Sequence, residues 1–350
     1  FRNETVIKKE QHGMAKEENL GIGIDFGTTN LLVYVKGHGV IFDEPSVVAF
    51  DVESGDVIAG GKDACSMIGK THDKIAVSRP LREGVISDMD AATALLKFAL
   101  QRVETIRDYS KSSCLICCPS EVSQIERDAL KDLAEQMGIQ DALIEQEIKS
   151  GALGSGLDIY TPKAAMIIDI GGGTTDIGIL SLGDVVLSQT IRIAGSHIDQ
   201  EIVKYVHKNH NLIIGSGTAE KIKTELATLA PPQKKQKTFE ATGRELVTGL
   251  PSGATITSQE IYELILPIFG EITNAVYTVL EQTPPELASD VVKNGVLLQG
   301  GGAMIPGIKE YFEKVLNLKV QIAPNPLQVV VTGTKVLLDN KGSYLVRPQD

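Results

Sequence analysis

Two stretches decide the fold: Ile22-Gly23-Ile24-Asp25-Phe26-Gly27-Thr28-Thr29-Asn30 and Ile167-Ile168-Asp169-Ile170-Gly171-Gly172-Gly173-Thr174-Thr175-Asp176. Each is a β-branched apolar run that brings an Asp to its end and then turns sharply through Gly and Thr. Glycine permits positive φ and close backbone approach, so successive N–H groups and Thr hydroxyls can converge on phosphate oxygens. The Asp repels phosphate but can hold a hydrated Mg²⁺ that bridges the phosphates. Two such turns facing each other predict two lobes that clamp one nucleotide.

Outward from the first turn, residues 31–35, 40–42 and 46–50 read as an antiparallel meander, with turns at Lys36-Gly37-His38-Gly39 and Glu44-Pro45. Apolar residues then recur at helical spacing from Asp88 to Asp108, Cys114 to Cys118 form a strand, and Ser123 to Gly138 a helix. The plan restarts with strands at 165–170, 177–182 and 185–193. Helices follow at His197–Lys208 and at Thr218–Leu229, the latter opened by Thr218. Pro231 to Lys237 reads as an exposed break, 239–257 as short strands, and Ser258–Gln282 as a long helix with a Ser cap. A strand at Val296–Leu298 runs into Gly300-Gly301-Gly302. This is an internal duplication of an α/β unit. The expected organisation is an N-terminal arm at 1–19, lobe I at 20–160, lobe II at 161–338 and a tail at 339–350.

A chain of 350 residues exceeds the roughly 150 typical of one domain, which agrees with two lobes. Its formal charge of −11 disfavours nonspecific association with nucleic acid. No uninterrupted apolar stretch reaches the ~18 residues of a membrane-spanning helix, and residues 1–19 are too polar for a secretory signal, so a cytoplasmic protein is expected. Cys114, Cys117 and Cys118 share a strand, where alternation sends the last two to opposite faces. They read as core packing, and His197, His207 and His210 as exposed residues on a polar helix.

The two Asp-Gly-Thr turns and the later triple glycine resemble the actin, heat-shock chaperone and sugar kinase ATPase superfamily. Within it, the bacterial actin MreB family is the best fit, supported by segments outside the turns such as residues 35–40, 44–49, 79–88, 218–223 and 283–288. The resemblance implies a two-lobed actin-like ATPase that binds ATP or ADP with Mg²⁺. It further implies polymerisation with copies of itself into filaments, expected as paired protofilaments, in the cytoplasm against the inner face of the membrane or a membrane protein. Carried over by position, Asp25 and Asp169 would organise Mg²⁺. Gly27, Thr28, Thr29 and Asn30 would hold phosphates from the first lobe, and Gly171, Gly172, Gly173 and Thr174 from the second. Glu220 and Lys223, at i and i+3 and so on one face of a helix, would contact the adenosine. Gly301, Gly302, Ala303 and Met304 would let the backbone approach the base and α-phosphate. Glu147 would place the attacking water, aided by Thr174.

Three departures from the family pattern bear on this. Ile148 stands where most members have Pro, and Lys149-Ser150-Gly151 replaces small apolar residues. Residues 108–113 are polar where many relatives present an apolar membrane-inserting loop, and Asp176 stands where most have Glu. The alternatives are a chaperone-type ATPase domain, or a nucleotide-binding filament scaffold impaired in hydrolysis.

Overall fold

The molecule is built on two five-stranded sheets of one design. The computed structural model describes residues 20–103, 109–231 and 236–339; the arm at 1–19, residues 104–108, residues 232–235 and the tail from 340 lie outside them. In the first sheet, β1 (Gly21–Phe26), β2 (Asn30–Val35) and β3 (Gly39–Pro45) form the expected meander. The strand expected next leaves that sheet. Ser46, fully buried, turns inward, its N–H donating to Thr29 O (2.8 Å) and its hydroxyl to Gly27 O (2.6 Å). That anchor lifts β4 (Val48–Asp51) into a separate small sheet with β5 (Val57–Gly60) and, beyond α1 (Lys62–Met67), β6 (Ile75–Ser78).

A two-stranded hairpin, β7 (Leu81–Arg82) and β8 (Val85–Ile86), leads to α2 (Met89–Leu100), whose N-cap Asp88 accepts from Ala91 N. This helix stops earlier than its periodicity predicts. Its end tightens through bonds from Arg102 N to Ala99 O and from Val103 N to Leu100 O. The Arg102 guanidinium is captured by Glu44 (2.6 Å) over the Phe42 ring. Then β9 (Ser113–Cys118), α3 (Gln124–Gln136) with its Ser123–Glu126 capping box, and β10 (Asp141–Gln146) complete the sheet in the order β10-β9-β1-β2-β3. Cys114, Cys117 and Cys118 are buried in this central strand, as expected.

After α4 (Glu147–Gly154) the second sheet opens with β11 (Ala165–Ile170), β12 (Thr175–Ser181) and β13 (Asp184–Ile191). The intervening elements are α5 (Gly195–His210), β14 (Leu212–Ile213), α6 (Ser216–Leu226), β15 (Thr238–Glu245), β16 (Pro251–Thr257), α7 (Ser258–Gln282) and α8 (Pro285–Asn294). Next come β17 (Val296–Gln299), a 3₁₀ turn at Gly301–Met304, α9 (Ile308–Leu316), β18 (Val320–Ile322) and α10 (Val329–Asp339). The order β13-β12-β11-β17-β18 matches β3-β2-β1-β9-β10 position for position, with the same parallel and antiparallel pairings. The duplication expected from the two turns is therefore present strand by strand.

Several local expectations are corrected. Thr257, not Ser258, caps α7, because Glu260 stands three residues on and reciprocates, whereas the residue three after Ser258 is Ile261. Helix α6 begins before Thr218, with Gly215 at its N-cap. His210 is half-buried, its Nε2 2.7 Å from Glu260 Oε1, because the C-terminal end of α5 meets the start of α7. Helix α7 is long and apolar enough to cross a membrane by length and composition, but Ile261, Ile265, Phe269, Ile272 and Val276 are buried in the second-lobe core.

The last helix does not remain with lobe II. Helix α10 returns to pack on β1, β2 and β9 and crosses α4 between the two sheets. Around that crossing lies a core shared by both lobes: Leu115 and Cys117 from β9, Ile148 and Leu153 from α4, Ile167, Leu180 and Leu297 from the second sheet, and Val329 and Val330 from α10. The helices meet backbone to backbone. A Cβ on Gly154 would overlap Val329 O and lie 2.7 Å from Gly333 N, and one on Gly333 would overlap Ser150 O. Alanine at 333 would gain about 1 kcal/mol of helix propensity. Overlap with a backbone oxygen that cannot rotate away outweighs this, since overpacking costs about 1–3 kcal/mol. Gly333→Ala is therefore expected to lower stability by about 1 kcal/mol or more, read as a fall in denaturant midpoint; an unchanged or raised midpoint would refute the close crossing.

Candidate functional site

A cleft of about 460 Å³ separates the lobes, and both duplicated turns line it. The first turn joins β1 to β2 and is tied beneath by Ser46. The second joins β11 to β12 and is tied at the equivalent place by the start of α5, where Gly195 N donates to Gly171 O (3.1 Å) and Ser196 N to Gly172 O (2.7 Å). The turns press on each other. A Cβ on Gly172 would lie 2.7 Å from Thr29 Cβ, and one on Gly173 would lie 2.8 Å from Thr28 Cβ and 3.0 Å from Gly84 N. Glycine suits both positions because the Thr29 and Thr28 side chains, and at 173 also the Gly84 backbone, occupy the space a side chain needs.

Of the residues expected to form the site, Asp25, Gly27, Thr28, Thr29, Asn30, Glu147, Asp169, Gly171, Gly172, Gly173, Thr174, Glu220, Lys223, Gly301, Gly302 and Met304 all line this cleft. Ala303 does not. The 3₁₀ turn rotates its methyl into the second-lobe core, where it is 1% exposed, while Met304 faces the cleft at 59%. Lys223 is already engaged, donating to Asp199 Oδ2 (2.8 Å) and Gly195 O (3.1 Å). Two other contributors escaped sequence reasoning. Gly84, from the β7–β8 turn, donates its N–H to Thr28 Oγ1 (2.8 Å). Gln299, at the end of β17 and fully buried, donates from Nε2 to Asp169 Oδ2 (2.7 Å). A polar residue ending an apolar strand beside the triple glycine was the available signal for Gln299.

The cleft concentrates negative charge. Burial, reinforced by Asp169 and Asp43, raises the Asp25 carboxyl to about 7. Burial likewise raises Asp169 to about 7, against the hydrogen bond from Gln299 that favours its ionised form. Glu147 is pushed well above the carboxylate range by burial and by Asp25, Asp176 and Asp169. Asp176 is held by Ser120 N (2.7 Å) and Thr190 Oγ1 (2.6 Å), which bridges the lobes, and its Oδ2 has no partner. Among the described residues no group of three or more His, Cys, Asp or Glu side chains forms a metal cage. Mg²⁺ held with phosphates needs only one or two carboxylates, and crowded carboxylates of raised pKa fit a divalent cation as their counter-charge.

Three of the four departing residues after Glu147 point away from the cleft. Ile148 is fully buried against Gly178, Lys149 pairs with Glu145 (3.0 Å) and Asp184 (3.5 Å), and the Ser150 hydroxyl donates to Val330 O (2.9 Å). Glu147 keeps its place at the first position of α4. In the polar loop expected at 108–113, Tyr109 is tied down through its hydroxyl to Leu100 O (3.1 Å), with Asp108 outside the described residues.

Two sheets of identical order with a cleft between equivalent turns define an actin-like fold. MreB 5 of Spiroplasma citri bound to AMPPNP superposes with a TM-score of 0.89, at 42% identity over 93% of this chain and 98% of that one. The MamK double helical filament shares the fold at a TM-score of 0.77, at 22% identity over 92% of this chain and 99% of that one. The MreB/Mbl protein family matches residues 19–345. The cell shape-determining protein Mbl of Bacillus cereus is 42% identical over 319 residues, 91% of this chain and 96% of that protein. The chain belongs to the MreB/Mbl family of cytoskeletal, actin-like cell-shape proteins.

The crowding of carboxylates has a measurable effect. Asn at position 25 removes a charge that burial and Asp169 disfavour, and each unit of pKa shift corresponds to about 1.4 kcal/mol. Asp25→Asn is expected to stabilise the nucleotide-free protein at pH 8 by up to about 4 kcal/mol while abolishing stabilisation by nucleotide with Mg²⁺. Thermal unfolding with and without ligand reads both effects; lower stability in the ligand-free variant would contradict the repulsion.

Proposed function

We propose that this protein binds ATP and ADP with Mg²⁺ in the interlobe cleft, hydrolyses ATP slowly, and assembles with copies of itself into filaments that serve cell shape or movement. The observation that carries the reading is the pair of equivalent glycine turns pressed together beside buried carboxylates at the mouth of α4. The AMPPNP-bound and ADP-bound forms of MreB 5 of Spiroplasma citri support nucleotide binding by a chain of this fold. Assembly is inferred from family membership, with paired protofilaments as the expected form. The proposed location is the cytoplasm, at the inner face of the membrane.

In this reading Gly27, Thr28, Thr29 and Asn30 hold phosphates from one side and Gly171, Gly172, Gly173 and Thr174 from the other. Glu220, Lys223, Gly301, Gly302 and Met304 receive the adenosine, Lys223 with its ammonium oriented in advance by Asp199. Asp25 and Asp169 would hold Mg²⁺, which when bound offsets phosphate charge. Glu147, at the first position of α4 and lining the cleft, orients the attacking water. Thr174, buried at the second turn, faces the same space. Phosphoryl transfer asks mostly for positioning and charge stabilisation, so one oriented water, with Lys223 the only Lys or Arg among the described residues lining the cleft, suits a slow reaction.

The alternative of a scaffold without hydrolysis was raised by Ile148 and Lys149, and both side chains turn away from the cleft. Phosphate release and light scattering measured together, with Mg-ATP and with AMPPNP, separate the readings. Glu147→Ala is expected to reduce phosphate release about a hundredfold while scattering still rises with either nucleotide. Phosphate release unaffected by the substitution would remove Glu147 from the reaction, and release without any assembly would favour a chaperone-type ATPase.

A further inference from the structure

The duplicated sheets hold their two cleft aspartates differently. Strand β1 runs parallel to β9 with Asp25 opposite Cys117, and β11 runs parallel to β17 with Asp169 opposite Gln299. The register is equivalent, but the neighbours are not. A thiol is a weak donor, whereas an amide is a strong one. Gln299 Nε2 donates to Asp169 Oδ2 at 2.7 Å and also reaches the carbonyl oxygen of Glu147, at 3.4 Å. One buried amide therefore touches both the aspartate of the second turn and the backbone of the water-placing residue.

Space for this amide comes from Gly151. A Cβ there would overlap Nε2, Oε1 and Cδ of Gln299. Gly151 is one of the residues that depart from the small apolar pattern after Glu147, so the departure and the buried glutamine form one unit. On the far side of Asp169, a Cβ on Gly300 would overlap Oδ1, so glycine at that position keeps the space beside this carboxylate oxygen free. Gln299 Oε1 is buried without a hydrogen-bond partner.

We infer that Gln299 is a positioning residue for hydrolysis: its amide, admitted by Gly151, fixes the Asp169 carboxylate relative to the Glu147 backbone and so sets how the cation-bound phosphates meet the attacking water. The inference rests on the Mg-nucleotide reading above. Gln299 takes up Asp169 Oδ2 and leaves Oδ1 for a hydrated cation. Residues that orient a metal's ligands from behind typically change metal affinity or activity by about 10–100-fold when removed.

The full chain, Gln299→Met and Gly151→Ala are compared in three measurements. These are calorimetric ADP binding in EDTA and across an Mg²⁺ titration, steady-state phosphate release, and thermal unfolding. Gln299→Met removes the amide at similar volume; Gly151→Ala keeps the amide but displaces it, and carries the test if the buried substitution does not fold. Both variants are expected to bind ADP in EDTA as the native chain does, to need about tenfold more Mg²⁺ for its effect on ADP binding, and to lose about tenfold in kcat with a smaller change in KM. Superimposable Mg²⁺ titrations would overturn the inference, as would ADP binding weakened equally with and without Mg²⁺, which marks a packing residue. A native chain that releases no phosphate while the variants still shift the Mg²⁺ titration would overturn the hydrolysis reading and leave the positioning of Asp169 standing.

Discussion

The contact between α4 and α10 is the constraint from which the cleft follows. Gly154 on α4 and Gly333 on α10 carry no side chain where the helices cross, so the two backbones come into direct contact there. Because α4 starts with Glu147, its depth fixes where that carboxylate stands. Because α10 also touches β1, where a Cβ on Gly23 would lie 2.6 Å from Thr334 Cβ, the first sheet is held to the same axis. The interlobe core of Leu115, Ile148, Ile167, Leu297 and Val330 closes around it. Burial of one such Ile or Leu side chain stabilises by about 1.5–3 kcal/mol, so several together keep the two lobes one molecule.

Against that cohesion the cleft sets a repulsion. Asp25, Asp169, Glu147 and Asp176 all titrate above the ordinary carboxylate range because burial withholds the water that would solvate their charge. An arrangement of this kind is unfavourable without a ligand and becomes favourable with a cation between the carboxylates. Active sites commonly give up stability in this way, and here the shared core offsets the loss. The hydrogen bonds from Gln299 to Asp169 and from Ser120 and Thr190 to Asp176 show where these charges are stabilised by protein alone.

How much could be read in the chain depended on the range of the signal. The two turns, their aspartates and the doubled strand plan were legible, because a strand ending in Asp-x-Gly states its geometry within ten residues. Ala303 was misplaced because its neighbours face the cleft and only the tightening of a 3₁₀ turn sends it inward. The cap at Thr257 required pairing Glu260 with the correct residue three positions back. The return of α10 to the first sheet left no local trace, since Gly154 and Gly333 declare themselves only when brought together. Gln299 was hidden for the same reason: its partner lies 130 residues earlier, and its space depends on a glycine in a third segment. Glu147 was found only through the family pattern, as a glutamate starting a short helix carries little information of its own.

The matched strand orders carry a further consequence. A cleft bounded by two equivalent turns and two equivalent aspartates is close to twofold symmetric, and a perfectly symmetric cleft would accept a nucleotide in either of two opposite directions. Half of the bound molecules would then face the wrong way. The breaks in symmetry remove that degeneracy: Gln299 stands where the other lobe has Cys117, the 3₁₀ turn and α6 belong to one lobe alone, and α10, which follows β18 as α4 follows β10, starts with Val329 where α4 starts with Glu147. The unequal halves would give the cleft a single reading direction, so every copy of the protein would hold its nucleotide the same way round.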